Sequence, residues 1–431
     1  MMRALLFAVL ACCLNPVYGA RVDLAELNTR LTYRYASTID ERLAGELELA
    51  PRLELGLTQK LSAVLSARIR GDSDDRLIPG EPDRRSYSHA SRPVPLGDDG
   101  IAELRDAYLR WRGDSFSVRL GKQQLVWGSL DGIKVLDVLN PQSFEQFILE
   151  DFDQSRIPLW SAHTEFSAFN WRIEAALIAD DTSHFIPDPE AWMAFQAPRF
   201  RFGARPSDDL PPIRQVPAEG QRGTLGVRLA RTLGSTDVEL VAVSGRDHEP
   251  LGRVVAGGDE PTLELFTTRR DTYGFSLQRS IAQSVVRVEA AWMPERTFNV
   301  AQGVGLSTVE QDNWRAAVGF DVNAPAGVFV NLQYLHDEVR TPSPALVRDT
   351  RERVLTATLR RGFAYETVQA ELQFFHGVDY DDTMRRANLD YQFSDRVRLS
   401  LSLVQFRGDL LGPFGQFAGR DQVAATWTLT L

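Results

Sequence analysis

The chain has 431 residues, of which 43% are hydrophobic and 25% are charged, and its formal net charge is −10. This acidic balance argues against a nucleic-acid-binding protein, which would present a basic face. Beyond the N-terminus no run of about 18 apolar residues occurs, so the sequence predicts no membrane-spanning helix. The length allows two or three soluble domains or one large closed β structure.

The N-terminus has the order of a secretory signal peptide. A basic residue precedes an apolar core over residues 4–14, and small side chains end the stretch. The sequence therefore predicts a signal peptide over residues 1–20 and a single domain over residues 21–431. Cys12 and Cys13 both lie inside the predicted signal peptide, so we expect the exported chain to contain no disulfide.

The rest of the chain alternates between apolar and polar residues with the period of two that is typical of β-strands. Near the middle, for example, Val286 and Val288 alternate with Arg287 and Glu289. Roughly sixteen to eighteen such segments follow one another, each about 9 to 12 residues long, which is the length that a tilted strand needs to cross a bilayer.

The connections between these segments are of two kinds. Short polar turns are predicted at residues 58–60, 113–115, 233–236, 323–327 and 394–396, and long loops near residues 71–100, 180–222, 246–265, 297–312 and 338–350. Short turns at one end and long loops at the other are typical of outer-membrane barrels. We therefore predict an all-β fold, a transmembrane antiparallel β-barrel of roughly 16 to 18 strands in the outer membrane of a Gram-negative bacterium. A soluble secreted β-sandwich is the alternative.

Strand phase assigns a set of charged side chains to the inner face of such a barrel. The predicted pore-lining residues are Arg68, Arg70, Arg119, Arg172, Glu174, Arg228, Arg287, Glu289, Arg315, Asp321, Glu371, Asp390 and Arg398. Rings of charge set solute preference in pores, and inward ion pairs also hold a barrel together, so both roles are open for these residues. Their mixed signs argue against strong selectivity for anions or for cations.

One long stretch interrupts the strand pattern. From Trp127 to about Ile157 the alternation stops, although the sequence is too apolar for a solvated loop. In a barrel the surface available for such a stretch is the inner wall, so we expect residues 127–158 to fold inward as a constriction or plug. The predicted constriction residues are Trp127, Gly128, Asp131, Lys134, Asp137, Asn140, Pro141, Arg156 and Pro158.

This stretch resembles part of a known family. Gly121-Lys122-Gln123, Trp127-Gly128, Asn140-Pro141 and Arg156-Ile157-Pro158 resemble a series of motifs in a proteobacterial porin-like outer-membrane family of unknown function, whose relatives at fold level are porins and alginate-export barrels. The family usually has Arg where this sequence has Lys122. The resemblance implies passage of small or lipidic molecules across the outer membrane. It also implies a periplasmic lipid-handling protein or an exporter as a candidate partner.

The sequence carries no familiar enzyme signature. It has no Gly-x-Ser-x-Gly elbow, no His-Glu-x-x-His zinc helix and no phosphate-binding glycine loop, and its histidines are scattered. We therefore expect no catalytic residue, no metal site and no cofactor. A minor alternative is an outer-membrane hydrolase that uses His163 with Ser161 or Ser167. Acidic runs such as 72–75 and 208–209 are interpreted as solvated loops rather than calcium sites.

The predicted function is thus an outer-membrane pore or transport barrel for small or lipidic solutes, without covalent chemistry. A structural or adhesive barrel that is sealed by its plug is the alternative. If Phe144, Phe147, Ile148 and Leu149 line the path, the prediction favours a lipidic cargo, and if they pack on the wall it favours a hydrophilic solute. The other expected partners are outer-membrane lipid, the barrel-assembly machinery and further copies of the chain, and no nucleic acid is expected.

Overall fold

The computed structural model describes residues 23–38, 42–73, 86–188, 191–204, 213–216, 223–255, 261–302, 305–340, 342–343 and 345–431. The predicted signal peptide lies outside the described residues, and so do Asp74, Asp75, Asp208 and Asp209 of the acidic runs.

The described chain consists mainly of β-strands. In chain order they are β1 (Asp23–Ser37), β2 (Arg42–Gly56), β3 (Leu61–Asp72), β4 (Val94–Pro95), β5 (Gly100–Arg112), β6 (Phe116–Gln123), β7 (Leu159–Ala168), β8 (Trp171–Ile178), β9 (Ile213–Gln215), β10 (Thr224–Leu233), β11 (Thr236–Arg246), β12 (Leu251–Val255), β13 (Thr262–Phe266), β14 (Arg269–Ile281), β15 (Ser284–Gln302), β16 (Gly305–Ala324), β17 (Val328–Val339), β18 (Arg351–Phe363), β19 (Val368–Gly377), β20 (Asp382–Ser394), β21 (Val397–Arg407) and β22 (Gln422–Thr430). A short α-helix, α1 (Phe152–Ser155), precedes β7, and 3-10 turns cover Pro325–Gly327 and Gly415–Phe417. Among the described residues, none of the helices is long and apolar enough to cross a membrane.

Eighteen strands form one closed antiparallel barrel, which confirms the predicted fold. Each strand pairs with its neighbour along the chain, and β22 closes the barrel by pairing with β1, with Tyr33 opposite Trp427. The strands outside the barrel are β4, which adds to β5, and the small sheet of β9, β12 and β13. Because every barrel strand has two partners, the sheet has no free edge that would expose unpaired backbone groups.

The two ends of the barrel differ as the sequence predicts. At one end the strands are joined by short turns, such as Phe169 and Asn170, whose φ values of 52° and 63° give the left-handed backbone that matches the twist of a hairpin. The long connections between β3 and β5, β6 and β7, β8 and β10, and β11 and β14 begin and end at the other end of the barrel. We refer to these as the short-turn end and the long-loop end.

The predicted long loop at residues 297–312 is wrong, because these residues extend a hairpin. β15 continues to Gln302 and β16 begins at Gly305, with Thr297 paired to Glu310 and Val300 paired to Ser307. Phe298 within this extension is buried. The guanidinium of Arg348, in the loop after β17, lies 5.7 Å from the Phe298 ring centroid, so a loop covers this part of the hairpin.

The two faces of the wall have opposite chemistry. On β3, Leu65 is 50% exposed on the outer face, whereas Arg68 and Arg70 are buried on the inner face. On β19, Leu372 is exposed outward, and the neighbouring polar position Glu371 points inward. An apolar outer band and a polar interior are what a barrel in a bilayer requires.

Candidate functional site inside the barrel

Between β6 and β7 the chain leaves the wall and folds into the barrel. We call residues 124–158 the inward segment; it begins three residues before the predicted constriction, because β6 ends at Gln123. Asn140 ties its two ends together. The amide oxygen of Asn140 accepts a hydrogen bond from the Leu125 backbone N–H at 2.8 Å, and its amide nitrogen donates to the Ile157 carbonyl at 2.7 Å. The predicted Asn-Pro motif therefore clasps the base of the segment.

The first half of the inward segment packs on an apolar patch of the inner wall. Trp127, Val135, Leu136 and Leu139 are each at most 1% exposed. The wall residues that form this patch with them are Ala176 and Ile178 on β8, Val241 and Val243 on β11, Ala291 and Met293 on β15, and Ala317 on β16. Burial of each large apolar side chain contributes about 1.5–3 kcal/mol, so this contact fixes the segment against one side of the barrel.

Glycines in the wall make room for this contact. A Cβ atom at Gly226 would come within 2.7 Å of the Trp127 ring, and one at Gly274 would overlap the Leu136 side chain. A Cβ at Gly319 would approach the Leu130 side chain to 3.0 Å. These glycines lie on β10, β14 and β16, so three wall strands have backbone where the segment needs space.

A buried carboxylate anchors the turn that follows Trp127. The Glu289 side chain accepts hydrogen bonds from the backbone N–H of Ser129, from the Ser129 hydroxyl at 3.0 Å and from the Leu136 backbone N–H at 3.2 Å. Gly128 lies against the same carboxylate with φ of 131°, a conformation that favours glycine. Glu289 thus satisfies donors that would otherwise be buried without partners.

Trp127 is held by two further residues from the predicted inner face. Its indole N–H donates to Glu174 at 3.3 Å, and the Arg228 guanidinium lies 5.9 Å from the ring centroid. Glu174 also lies 3.1 Å from Nε2 of His163, and Arg119 lies 3.2 Å from its Nδ1. Both ring nitrogens of His163 are therefore engaged.

This arrangement differs from the one that the hydrolase alternative requires. The Ser161 hydroxyl donates to the Leu159 carbonyl at 3.3 Å. Among the described residues no hydrogen bond joins His163 to Ser161 or Ser167. Without a serine hydroxyl beside a free imidazole nitrogen, the pair lacks the contact that activates a nucleophile.

The second half of the inward segment joins two loops in an aromatic group near the long-loop end. We call it the mouth cluster; its main members are Phe144 and Phe147 of the segment, Phe195 and Phe200 of one loop, Phe414 and Phe417 of another, and the wall residues Phe375, Met384, Val404 and Phe406. The rings of Phe147 and Phe417 lie 4.6 Å apart, and those of Phe195 and Phe200 stack at 4.5 Å. Sequence reasoning missed both loops, whose signal is the spacing of phenylalanines in residues 195–202 and 414–417.

Two histidines, half-buried His184 and buried His248, tether the middle of the inward segment to the long loops. His184 accepts a hydrogen bond from the Gln142 backbone N–H at 2.9 Å, and Nε2 of His248 lies 3.0 Å from the Leu139 carbonyl. Burial lowers the pKa of His184 to about 3 and that of His248 to about 4. Both are therefore neutral at pH 7, which suits one as an acceptor and the other as a donor.

Ion pairs join the segment to β3 as well. Glu145 receives two hydrogen bonds from Arg70, at 2.8 and 2.9 Å, and Glu150 receives one from Arg68 at 2.5 Å. Arg68 also donates to Glu48 of β2 at 2.6 Å. These two predicted pore-lining arginines are thus engaged in holding the inward segment.

Within the segment itself, the predicted constriction residues pair with one another. Asp137 accepts from Arg156 at 2.6 Å and lies 2.9 Å from the Lys134 ammonium. The Asp131 carbonyl accepts a hydrogen bond from Gln333 of β17. Pro141 and Pro158 are buried, and the Pro141 carbonyl in the middle of the segment accepts a hydrogen bond from the Ile157 backbone N–H at 2.9 Å.

A polar cavity remains between the inward segment and the wall formed by β1–β3 and β19–β22. Its volume is about 390 Å³. The charged residues that line it are Arg30, Arg34, Glu46, Glu48, Arg68, Glu150, Asp151, Glu371, Arg386, Asp390 and Arg398. Serine and threonine side chains of β21 and β22 complete the lining. We call this space the polar cavity.

The predicted pore-lining residues divide into three groups, although the structure places all of them on the inner face. Arg68, Glu371, Asp390 and Arg398 line the polar cavity, and Arg172 lines a second space of about 670 Å³ near the short-turn end. The others are paired on the inner face or hold the inward segment: Arg70, Arg119, Glu174, Arg228, Arg287, Glu289, Arg315 and Asp321. Contact of any of them with a solute stays a prediction.

Two arginines of the polar cavity, Arg386 and Arg398, stand apart from the ion pairs of the described residues, and Nε of Arg398 donates to Gln392 at 3.0 Å. Arg30 and Arg68 bind Glu48, and Arg34 lies 3.8 Å from Glu46. By contrast, Nε of Arg386 donates to Asn388 at 3.1 Å and to Ser402 at 3.3 Å. Within the described part of the chain no carboxylate lies within 4.0 Å of Arg386. The two terminal amino groups of Arg386 are therefore available to donate hydrogen bonds to water or to a solute in the cavity.

The interior offers charged and hydrogen-bonding groups. In the part of the chain that the structure describes, no group of three or more His, Cys, Asp or Glu side chains is arranged to hold a metal ion. The acidic loop residue Asp180 binds Ser91 and Thr182, and Asp379 binds Arg353. These carboxylates serve as local structural acceptors.

The family comparison covers most of the barrel. Residues 67–405 match the model of a family described as "Protein of unknown function (DUF1302)". None of the curated proteins matches the chain.

Solved structures share the architecture at low sequence identity. OccD3 (OpdP) of Pseudomonas aeruginosa is 9% identical with a TM-score of 0.53, over 96% of this chain and 93% of that one. OccAB3 of Acinetobacter baumannii is 11% identical with a TM-score of 0.53, over 96% and 100% of the two chains. The outer membrane protein opdK of Pseudomonas aeruginosa is 10% identical with a TM-score of 0.51, over 95% and 100%. At such identities the similarity shows the barrel fold alone.

Proposed function

Because this chain belongs to the DUF1302 family of proteins of unknown function and folds as a porin-like barrel, we propose that it is an outer-membrane channel for small hydrophilic solutes. The observation that carries the proposal is the polar cavity, which lies inside a closed barrel and is bounded by charged side chains on both the wall and the inward segment. The apolar outer band supports placement in the outer membrane, and the predicted signal peptide would direct export.

The position of the apolar side chains favours a hydrophilic rather than a lipidic solute. Phe144, Phe147 and Ile148 pack in the mouth cluster against wall and loop residues. Of the four apolar residues in question, only Leu149 also borders the polar cavity. A lipid chain in this cavity would displace water from charged groups without replacing their hydrogen bonds, which is unfavourable.

The charge pattern supports broad rather than sharp selectivity. The arginines of β1 and β3 are balanced by Glu46, Glu48 and Glu150. The opposite wall carries charges of both signs, from Arg386, Arg398, Glu371 and Asp390. Solutes that carry both a positive and a negative group, or none, meet complementary partners there. The work of the channel is binding and release through polar contacts, without covalent chemistry.

A sealed structural barrel is the second candidate, and the mouth cluster is the observation that favours it. The cluster joins the inward segment, two long loops and β19–β21 in one packed group near the long-loop end. A channel built this way rests in a narrow state and opens when the inward segment or the loops move. A structural barrel would keep the same contacts permanently.

Single-channel recording in planar bilayers separates the two candidates. We expect discrete openings from the intact chain, and larger openings after deletion of residues 130–155, which removes most of the inward segment. Silence in the intact chain and large currents after the deletion would indicate a channel that opens only with a partner or solute. Silence in both, with folding verified by heat-modifiable gel mobility, would contradict the channel and leave the structural barrel.

A further inference from the structure

The outer face of the barrel carries a groove over β18–β22. Its volume is about 610 Å³, and its lining is mainly apolar. We call it the outer groove; its floor and sides are formed by Ala357, Leu372, Phe374, Ala387, Leu403 and Val423. Ala387 pairs with Leu372 on one side and with Leu403 on the other, so a small side chain lies between two large ones. This difference in size creates the depression.

An arginine lies at one end of the outer groove. Arg385 is exposed on the outer face, three positions from Asp382, where β20 begins at the long-loop end. Its guanidinium lies 5.9 Å from the Phe374 ring centroid, and Arg385 is opposite Gln405 in the sheet. The residue therefore lies between the apolar band and the polar rim of the barrel.

Arg385 differs from its neighbours because it lacks a carboxylate partner. Three other outward arginines at this end of the wall have one: Arg351 lies 3.8 Å from Glu338, Arg353 lies 2.7 Å from Asp379, and Arg407 lies 2.7 Å from Asp421. Across the described residues no carboxylate lies within 4.0 Å of Arg385. A cation that faces lipid without a partner is costly, and the cost is removed when an anion of the membrane binds to it.

The chemistry and shape of this site point to one kind of ligand. A guanidinium presents several N–H donors in a planar fork that matches the oxygen atoms of a phosphate. An apolar depression that begins beside it and runs over Ala387 suits an acyl chain. A second copy of the chain fits less well, because an apolar protein surface on the groove would bury Arg385 without a counter-charge.

We propose that the outer groove binds one phosphorylated lipid of the outer leaflet, with a phosphate on Arg385 and an acyl chain over Ala387. The site is separate from the polar cavity, because the wall lies between them. The inference rests on the barrel spanning the outer membrane, and it does not depend on whether the barrel conducts.

Native mass spectrometry of the delipidated full barrel in detergent, with added diphosphoryl lipid A, tests the proposal. We expect one tightly bound lipid per barrel, and an affinity at least about tenfold lower in Arg385→Gln, because the phosphate loses its charged partner. Ala387→Leu fills the groove and is expected to weaken binding to a similar extent. The matched control is Arg361→Gln, since Arg361 is an exposed arginine over Phe363 near the short-turn end and is not part of the groove lining.

Four results test this lipid site. Equal lipid affinity in the wild type and Arg385→Gln would overturn the proposal, and so would equal affinity for lipid A and its dephosphorylated form. Inorganic phosphate alone is expected to leave lipid binding unchanged, and its displacement of the lipid at millimolar concentration would show that the acyl chain contributes nothing. Dimers or trimers without bound lipid that Ala387→Leu abolishes would replace the lipid with a second copy of the chain.

Discussion

The inner wall of the barrel has two sides, one that packs closely against the inward segment and one that is separated from much of it by a cavity. On β10, β14 and β16 the wall presents Gly226, Gly274 and Gly319, and apolar side chains of the segment fit against them. On β1–β3 and β19–β22 the wall presents long charged side chains, and a polar cavity separates it from much of the segment. Side-chain size on the wall, as much as the apolar character of the segment, therefore determines where the segment lies and where space is left.

Acid is expected to have the largest effect on the packing of the inward segment against one side of the wall, because it acts on both tethering histidines, His184 and His248. Burial lowers the pKa values of His184 and His248 on the long loops, and these values would return to about 6.5 once the segment is released and the histidines meet water. The released state therefore takes up protons that the packed state does not. The tethers keep their full contribution above pH 6.5 and lose it as the pH falls toward 4, by about 2 kcal/mol for each histidine at pH 5.

We therefore expect the single-channel current or open probability to rise between pH 7.5 and pH 5. His184→Gln combined with His248→Gln is expected to remove most of this rise. His89→Gln is the control, because His89 is exposed on a long loop. An unchanged pH response in the double variant would contradict the proposed role of the two histidines in holding the inward segment.

The next largest effect is expected from filling the glycine patch. Gly274→Leu places a side chain where Leu136 now lies, and overpacking of this kind costs about 3 kcal/mol. The segment is expected to move toward the polar cavity or out of the barrel, with a several-fold change in conductance. Gly71→Leu is the matched control, because a Cβ at Gly71 has its nearest contact at 3.8 Å. Wild-type conductance and thermal stability in Gly274→Leu would show that the patch does not position the segment.

Loss of the Glu289 anchor is expected to have a smaller effect. Glu289→Ala leaves the buried N–H groups of Ser129 and Leu136 without an acceptor, at a cost of about 2 kcal/mol. We expect noisier currents with frequent brief openings and a lower thermal midpoint. Asp237→Ala serves as the control, since Asp237 is an exposed acidic residue on β11 that receives a hydrogen bond from Thr232. Identical gating in the two variants would argue against an anchoring role.

The smallest effect is expected from a charge change on the cavity side. Arg386→Gln removes a cation that lacks a carboxylate partner, so the permeability ratio of cations to anions is expected to rise by about twofold. Arg228→Gln removes a cation of the packed side, beside Trp127, and is expected to leave the ratio unchanged. Reversal potentials in a salt gradient measure both. A larger change of the permeability ratio in Arg228→Gln than in Arg386→Gln would indicate that ions pass on the packed side of the segment, which contradicts the prediction.

Strand phase explains why much of this arrangement was predictable from sequence. In a strand alternate residues point to the same face, so identifying Leu372 as outward also fixes Glu371 as inward. The same logic predicts the inward segment, because residues 127–158 are apolar but lack the period of a strand. The orientation of strand residues and the interruption at residues 127–158 depend only on residues that are close in sequence, so a single sequence is enough to predict them.

Features that depend on contacts between distant residues were beyond the sequence argument. A glycine within a strand pattern predicts a weak strand position unless its packing partner is known, which applies to Gly226, Gly274 and Gly319. The mouth cluster joins Phe147 with Phe195 and Phe417, which are separated by loops whose return to the barrel has no local signature. The extension of β15 and β16 was missed because residues 297–312 alternate less regularly than the wall strands.

The central claim is that ions pass through the polar cavity and not under the inward segment. Cysteine accessibility locates the conducting path directly. Cys12 and Cys13 both lie in the predicted signal peptide, so the exported chain offers a clean background for single cysteines. Thr426→Cys places a thiol in the polar cavity, and Ala317→Cys places one in the apolar patch under the inward segment. A charged, water-soluble methanethiosulfonate is expected to reduce the single-channel current of Thr426→Cys and to leave that of Ala317→Cys unchanged. Block of Ala317→Cys with no effect on Thr426→Cys would contradict the account.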